Sequence, residues 1–214
     1  MEKGKFIVFE GLDGCGKTTQ IDRLISNIDD TIYNVKEFSN ISKGPIGLCI
    51  RELTRNHIYR NSIFDFQLAC LYASELMLIA NEIKTLLDNG TNVICSRWFY
   101  STLAYAGKNP LVYDKIKALY ADILIPDIVI YLEIEDVDIT MDRISIRNGH
   151  KDVFENKEHL SSTLGVYNKV FADDDILEPI KNILYATASD DANSISSMLS
   201  YIIINNFGLT KKQN

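Results

Sequence analysis

The sequence predicts an α/β fold in which a five-stranded parallel sheet is flanked by helices on both faces. Short apolar runs alternate along the chain with longer segments of helical spacing, an order that is typical of parallel sheets covered on both sides. The runs Asn92-Val-Ile-Cys95 and Ile128-Val-Ile-Tyr-Leu132 are apolar almost throughout, which favours strands buried on both faces. We therefore expect one domain over residues 1–214, with a small lid at about 143–155.

The order of the elements places three distant segments together. The predicted strands follow the apolar runs near residues 5–9, 34–38, 91–96, 127–133 and 182–187. The predicted helices follow the segments of helical spacing near residues 17–28, 45–55, 62–88, 111–124, 136–147, 156–172 and 191–206. Ligands of an open parallel sheet bind at the carboxyl ends of its strands. We therefore expect residues 10–18, 38–43 and 96–105 to share one rim of the sheet.

A glycine-rich turn joins the first predicted strand to the first helix. Gly11, Gly16, Lys17 and Thr18 have the spacing G-x-x-x-x-G-K-[ST], directly after the apolar residues 6–9. Glycines permit a tight turn here, and the backbone N–H groups of the turn and of the helix N-terminus then face an anion. We expect Lys17 to reach the β- and γ-phosphates of a nucleotide and the Thr18 hydroxyl to bind Mg²⁺. The predicted phosphate-loop residues are Gly11, Asp13, Gly14, Cys15, Gly16, Lys17, Thr18 and Thr19.

Composition excludes several classes of partner. The net charge is −7, so we expect no general attraction to nucleic acid or to an anionic membrane. The four cysteines form no CxxC pair and no signal peptide precedes the first strand, which predicts reduced thiols and a cytoplasmic location. The three histidines lack metal-binding spacing, and the run 195–207 is too short and too polar to span a bilayer.

Arg97 directly follows the predicted strand that ends at Ser96. An arginine at the carboxyl end of a buried strand is costly to place unless an anion pairs with it. We expect Arg97 to clamp a phosphate at the rim of the sheet. The alternative is a salt bridge to Asp13 or Glu10 at the same rim.

A basic cluster, Arg143-Ile-Ser-Ile-Arg-Asn-Gly-His-Lys151, begins on a predicted helix and runs into a turn. Such a cluster can be a solvated helix face. Beside a nucleotide loop, Arg143, Arg147 and Lys151 are instead expected to form a lid that closes over the γ-phosphate and excludes water. Outside the phosphate loop, the chain lacks the N-K-x-D and D-x-x-G motifs of a signalling GTPase. Exclusion of water favours a second small molecule as the phosphate acceptor.

Three segments together resemble the thymidylate kinase family of P-loop nucleoside monophosphate kinases. FEGLDGCGKTTQ is similar to the first strand and loop of that family, and SRWFYSTLAYAG to its D-R-Y/H…S-x-x-A-Y-Q-G segment. PDIVIYLE resembles its P-D-L-x-x-x-L-D strand, and Ala188-Ser189 falls where the family has a loop near the donor adenine. The resemblance covers nearly the whole chain in order.

The resemblance implies Mg²⁺-dependent transfer of the γ-phosphate of ATP to dTMP, giving dTDP, by an enzyme that is commonly a homodimer. It implies that Asp13 binds the 3′-hydroxyl of the acceptor sugar and that Arg97 binds the acceptor phosphate. Ser101 and Tyr105 lie in the same family segment, and Tyr105 is expected to pack against the sugar. Because Gly14-Cys15 supplies no arginine to the phosphate loop, the resemblance implies the type of enzyme whose basic groups lie in the lid.

Two positions depart from the family pattern. Ser96 replaces an aspartate, so we expect weaker positioning of Mg²⁺. Tyr72 or Leu71 can pack on the base, but the base-binding arginine of the family is replaced by Glu75 or Leu76.

Glu75 interrupts an apolar helical stripe, so it is expected either to pair with Arg51 or Lys43 or to face the base pocket. In that pocket a carboxylate favours the amino and imino edges of cytosine or guanine, which keeps dCMP and dGMP open as acceptors.

The segment from Phe38 to Pro45 also departs from the family pattern, so Phe38, Lys43 and Arg51 are further candidate acceptor ligands. A deoxynucleoside kinase and a catalytically weakened nucleotide-binding homologue remain alternatives. The missing acidic group at Ser96 argues against the first of them and motivates the second.

Overall fold

Five parallel strands form one sheet. The computed structural model describes residues 3–28, 35–55, 62–146, 156–188 and 190–207. The strands are β1 (Phe6–Glu10), β2 (Val35–Ser39), β3 (Asn92–Ser96), β4 (Ile128–Glu133) and β5 (Ile183–Thr187). Their order in the sheet is β2-β3-β1-β4-β5, and all four pairings are parallel. The predicted five-stranded parallel sheet is confirmed.

The centre of the sheet is covered on both faces. Every residue of β1 and the first five residues of β4 are buried, as the continuous apolar runs predicted. In the register, Phe9 lies opposite Ser96 of β3 and Ile130 of β4. The carboxyl ends of β1 and β3 therefore meet at one rim, where Glu10 ends β1 and Arg97 directly follows β3.

Nine helices lie within the described residues. They are α1 (Lys17–Asn27), α2 (Pro45–Arg55), α3 (Ser62–Asp88), α4 (Phe99–Ala106), α5 (Pro110–Leu119), α6 (Val137–Ile146), α7 (Lys157–Val170), α8 (Asp174–Leu177) and α9 (Ala192–Phe207). Helix α1 packs against α9, β1 and β3, while α3 packs against α2, α4, α5 and β3. Helix α7 packs against α4 and α6, and this contact brings its side chains under the end of β1.

Three helical segments differ from the prediction. Helix α4 was not predicted, because its sequence FYSTLAYA is apolar nearly all round and its first six residues are all buried, so it has no amphipathic period. Helix α5 starts at Pro110, behind an Asn109 side-chain cap, and ends at Leu119 rather than near residue 124. The short helix α8 was likewise not predicted.

Among the described helices, α3 alone is long and apolar enough to cross a membrane when judged by length and composition. Its inner face belongs to the main hydrophobic core through Ala69, Ala73, Leu76, Ile79 and Ile83. The packing of α3 against three helices and β3 is that of a core helix.

Candidate functional site

The turn between β1 and α1 has the backbone conformation of a phosphate-binding loop. Gly11 has φ 139° and Gly14 has φ 80°, values that side chains other than hydrogen rarely allow. A Cβ on Gly11 would lie 2.6 Å from the Leu132 carbonyl oxygen, and one on Gly14 would lie 2.8 Å from the Thr140 carbonyl oxygen. Gly16 precedes α1 without a side-chain cap, so the first N–H groups of the helix remain available to an anion.

Lys17 is held inside this loop. Its Nζ donates to the Gly11 carbonyl oxygen at 2.9 Å and to the Leu12 carbonyl oxygen at 2.7 Å, and the residue is 7% exposed. Burial and the neighbouring Arg97 lower the pKa of the Lys17 ammonium. Thr18 and Thr19 are exposed on the first turn of α1. The loop thus offers one buried cation and two exposed hydroxyl groups.

Arg97 lies at the mouth of the loop. Its backbone has φ 73°, the one positive value for a non-glycine residue in the described part of the chain. Its guanidinium Nη1 donates to three oxygen atoms, Gly11 O at 3.0 Å, Ser101 Oγ at 2.9 Å and Tyr167 OH at 3.0 Å. Both Arg97 and Lys17 therefore donate to the Gly11 carbonyl, so the two cations meet where the loop opens.

The other nitrogen of the guanidinium, Nη2, bonds acidic and phenolic oxygen atoms. It donates to Asp13 Oδ1 at 2.6 Å and to Tyr105 OH at 3.3 Å, and Tyr105 OH donates to Asp13 Oδ2 at 2.7 Å. Burial alone would raise the pKa of the Asp13 carboxyl, but Arg97, Lys17 and the bond from Tyr105 together lower it to about 2. The alternative of a salt bridge between Arg97 and Asp13 is therefore observed.

A cleft of about 160 Å³, partly open to solvent, extends from Arg97 along α3 and α4. Its lining residues within the described ranges are Asp13, Asn40, Ile41, Asp65, Leu68, Ala69, Tyr72, Arg97, Ser101, Thr102, Tyr105 and Ala106. The α3 contribution is one helical face, with members at spacings of three and four residues. Five predicted site residues meet here, namely Asp13, Tyr72, Arg97, Ser101 and Tyr105. The cleft can hold an elongated molecule with an anionic end at Arg97 and a flat end at Tyr72.

The structure corrects the expectation that Glu75 faces the base pocket. Its carboxylate is 2% exposed, and Oε1 accepts a hydrogen bond from the Ser42 backbone N–H at 2.7 Å. Glu75 lines a different, smaller cavity that also includes Ser42 and Leu78. Glu75 lies about one helical turn beyond Tyr72, where α3 meets the segment that contains Ser42 rather than the cleft. Leu76, the other aligned position, is fully buried in the main core.

Three more candidate acceptor ligands do not line the cleft. Arg51 donates to the Ser42 carbonyl oxygen at 2.6 Å and to the Ile41 carbonyl oxygen at 3.0 Å, so it secures the loop after β2. Lys43 is exposed. Leu71 packs in a small apolar cluster with Ile50 and Leu68. The local sequence could not distinguish an acceptor ligand from a structural residue at these positions, because the difference depends on how the loop between β2 and α2 folds. Phe38 lies opposite Cys95 in the sheet register, and its side chain lies outside the described part.

The structure describes part of the region that is expected to bind the donor nucleotide. Arg143 Nη2 donates to the Ala188 carbonyl oxygen at 2.8 Å, and Nη1 lies 3.5 Å from the Cys15 carbonyl oxygen. Arg143 therefore joins the phosphate loop to the segment after β5. Arg147, Lys151 and Ser189 lie outside the described residues. Ser96, at the end of β3, is half-buried beside the loop.

Sequence reasoning missed several polar residues of this region. Asn40, Asp65 and Thr102 line the cleft, and Glu10 and Tyr167 lie beneath Arg97. Glu10 carried a signal, since it is the acidic last residue of an otherwise apolar strand, and it was considered only as a direct ion-pair partner of Arg97. Tyr167 carried none, because only the packing of α7 against α4 brings it to the rim.

Comparisons with known proteins point to one family. A family model described as thymidylate kinase matches residues 9–187. The thymidylate kinase of Buchnera aphidicola subsp. Schizaphis graminum is 36% identical over 169 residues, which cover 73% of this chain and 76% of that protein. The probable thymidylate kinase of Methanococcus aeolicus is 33% identical over 167 residues, covering 78% and 79%. A solved structure of thymidylate kinase from Candida albicans shares the fold, with a TM-score of 0.75 at 22% identity over 99% of each chain.

Proposed function

The chain belongs to the thymidylate kinase family, and from this premise we propose that it transfers the γ-phosphate of ATP to dTMP, giving dTDP and ADP. The observation that carries the proposal is the meeting of Lys17 and Arg97 at the Gly11 carbonyl, on the boundary between the phosphate loop and the cleft. A donor held by the loop and an acceptor held in the cleft would place their phosphates between these two cations. Transfer then needs little more than alignment and charge stabilisation.

Each group has a proposed role. Lys17 and the loop N–H groups hold the donor phosphates, and Arg97 binds the acceptor phosphate. Asp13, kept ionised by its cationic neighbours, accepts from the 3′-hydroxyl of the acceptor sugar, while Tyr105 packs against that sugar. Ser101 supports Arg97, and Tyr72 stacks on the base.

The donor base is proposed to bind near Ala188. Arg143 begins a lid over residues 143–155, to which Arg147 and Lys151 are also assigned. The Arg143 bonds to the Ala188 and Cys15 carbonyls support this assignment, because they hold the Arg143 side chain against the phosphate loop.

The residues present fit a Mg²⁺ ion carried by the nucleotide. No group of three or more His, Cys, Asp and Glu side chains suited to a metal occurs in the described ranges, and Mg²⁺ in nucleotide sites typically has few protein ligands besides phosphates and waters. Thr18 offers an exposed hydroxyl on α1, and Ser96 offers one at the end of β3. When bound, the ion would neutralise charge on the β- and γ-phosphates. Thr18 would ligate it, and Ser96 would bond one of its waters.

Ser96→Asp is expected to raise kcat by about tenfold at limiting Mg²⁺, because a carboxylate restores the charge that orients metal-bound water. The measurement is a Mg²⁺ titration of the steady-state rate at saturating ATP and dTMP. Ser96→Asn is the matched control, since it has nearly the same size as the aspartate without the charge. A rate for Ser96→Asp no higher than that of the wild type would contradict the proposed role of Ser96.

A coupled assay of ADP release tests the function itself. We expect turnover with dTMP, little with thymidine or with water as the acceptor, and lower kcat/KM for dUMP, dCMP, dGMP and dAMP. ATP binding without product would indicate a weakened homologue, and turnover with nucleosides alone would indicate a deoxynucleoside kinase.

Glu75→Gln is expected to leave the order of preference among the acceptors unchanged. The amide retains the oxygen that accepts from Ser42 N, and the residue does not line the cleft. The measurement is kcat/KM for the five monophosphates in the variant and in the wild type. A change in the relative kcat/KM for dCMP or dGMP in the variant would indicate that Glu75 contacts the acceptor base.

We also propose a homodimer in the cytoplasm. The family resemblance supports the dimer, as do exposed apolar side chains on α2 and α3, Leu48 at 59%, Met77 at 47% and Leu78 at 60%. All four cysteines are free, which fits a reducing compartment. Sedimentation equilibrium checks the dimer, and a monomer at all micromolar concentrations would exclude it.

A further inference from the structure

A carboxylate with no direct access to the cleft lies beneath Arg97. Glu10 ends β1, is 0% exposed and does not line the cleft. Its Oε1 accepts from the Trp98 backbone N–H at 2.7 Å. Its Oε2 accepts from Ser101 Oγ at 2.7 Å and from Tyr167 OH at 3.0 Å. One buried side chain thus connects β1, α4, α7 and the residue that follows Arg97.

The two hydroxyl groups bonded to Glu10 are also acceptors for Arg97. Nη1 donates to Ser101 Oγ at 2.9 Å and to Tyr167 OH at 3.0 Å, and the two hydroxyl oxygens lie 2.8 Å apart. A hydroxyl has one hydrogen and two lone pairs. Because the hydrogens are drawn towards Glu10, lone pairs are left facing the guanidinium. Burial raises the pKa of the Tyr167 hydroxyl, so it remains a donor to Glu10.

The same carboxylate fixes the backbone of Arg97. The positive φ of Arg97 is unfavourable for a residue with a side chain, so other interactions must hold it. The N–H of Arg97 donates to the Phe9 carbonyl oxygen at 2.9 Å, and the next N–H, of Trp98, donates to Glu10. Both peptide units of Arg97 are therefore tied to the end of β1.

The two terminal nitrogens of the guanidinium therefore differ in their surroundings. Nη1 is held mainly by groups beneath the cleft, and Nη2 faces the cleft. Of the three Nη1 acceptors, Gly11 O and Tyr167 OH belong to residues outside the described cleft lining, and Ser101 belongs to it. The Nη2 acceptors, Asp13 and Tyr105, both line the cleft. A phosphate entering the cleft therefore meets the Nη2 side.

We propose that Glu10 is a positioning residue for the acceptor phosphate, which it serves through Ser101, Tyr167 and the backbone of Arg97 without touching the substrate. The proposal rests on the proposed function, in which Arg97 binds that phosphate. Its distinguishing consequence is selectivity, because a loss of Glu10 weakens binding of the phosphate and leaves binding of the nucleoside part intact.

The test compares dissociation constants of dTMP and thymidine for Glu10→Gln, measured by calorimetry and by competition. The amide can still accept from Trp98 N, but its NH₂ group faces Ser101 and Tyr167, so their hydroxyl hydrogens turn towards Arg97. We expect the Kd for dTMP to rise about 10- to 100-fold, with thymidine within about twofold of the wild type. The KM for ATP is expected to stay within about threefold.

A second variant keeps the test independent of how well Glu10→Gln folds. Tyr167→Phe removes one bridging hydroxyl and is expected to raise the Kd for dTMP by about fivefold, again without weakening thymidine. The double variant should lose less than the product of the two single effects, because both act through one network. Tyr113→Phe is the matched control, since Tyr113 OH also donates to a carboxylate, Asp173, away from the cleft, and dTMP binding should not change.

Equal weakening of dTMP and thymidine in both variants would overturn the proposal, and so would unchanged dTMP binding. A wild-type enzyme that bound ATP but not dTMP would instead contradict the proposed function, so the two failures are distinguishable.

Discussion

Arg97→Lys is expected to lower kcat/KM for dTMP by about 10²-fold, and Arg97→Ala by about 10³-fold. The guanidinium serves five acceptor atoms through Nη1 and Nη2, and three of them come from Gly11, Asp13 and Ser101. An ammonium group has three hydrogens and no planar fork, so it cannot hold these partners and a phosphate in one geometry. The measurement is steady-state kinetics with dTMP varied at saturating ATP.

The lysine variant is the cleaner test of Arg97. In the alanine variant the Asp13 carboxylate loses its cationic partner, and removing one member of such a pair destabilises the fold as well as the site. Arg23→Lys on α1 is the matched control, because it makes the same substitution outside the cleft lining and should leave KM for dTMP unchanged. Equal effects of Arg97→Lys and Arg23→Lys would contradict a phosphate-binding role for Arg97.

Lys17→Met is expected to lower kcat by about 10³-fold, because the ammonium that faces the developing charge on the donor phosphates is lost. The variant should not lose stability. Since burial and Arg97 lower the pKa of Lys17, the folded state disfavours its charged form, and that cost applies at pH values below the folded pKa. An apolar side chain of similar length removes the cost.

Two measurements on the same sample separate these effects of Lys17→Met. We expect a melting temperature at pH 7 equal to or above that of the wild type, together with the loss of kcat. Thr19→Val, which removes an exposed hydroxyl from the same helical turn, is a control for general disturbance of the loop. A fall in melting temperature that matched the loss of activity would indicate a structural rather than an electrostatic role for Lys17.

The sheet and the phosphate loop could be predicted because their signals are local. The loop is defined by spacing within eight residues, and the buried strands by continuous apolar runs. The placement of Arg97 followed from a general rule on strand ends, and the structure confirms that it lies at the loop. Helix α4 could not be predicted, because burial on all sides erases the periodicity by which amphipathic helices are recognised.

The failures at the site have a common physical origin. The interpretation of Glu75 depended on which neighbour would satisfy a buried carboxylate, and the structure provides a backbone N–H, that of Ser42, rather than a base or a cationic side chain. Arg51 likewise bonds loop carbonyls 9 and 10 residues away in sequence. Tyr167 reaches Arg97 across 70 positions. These hydrogen-bond partners are determined by how distant segments pack together, and residue type and local spacing carry no information about that packing.

The most direct test of the central claim is a crystal structure with dTMP and a non-hydrolysable ATP analogue bound together. The claim is that cations from separate segments converge on a phosphoryl group passing between two bound nucleotides. We expect Lys17 on the donor phosphates and Arg97 on the dTMP phosphate, with Tyr72 against thymine. Binding of dTMP outside the cleft, with its phosphate remote from Arg97, would contradict the account.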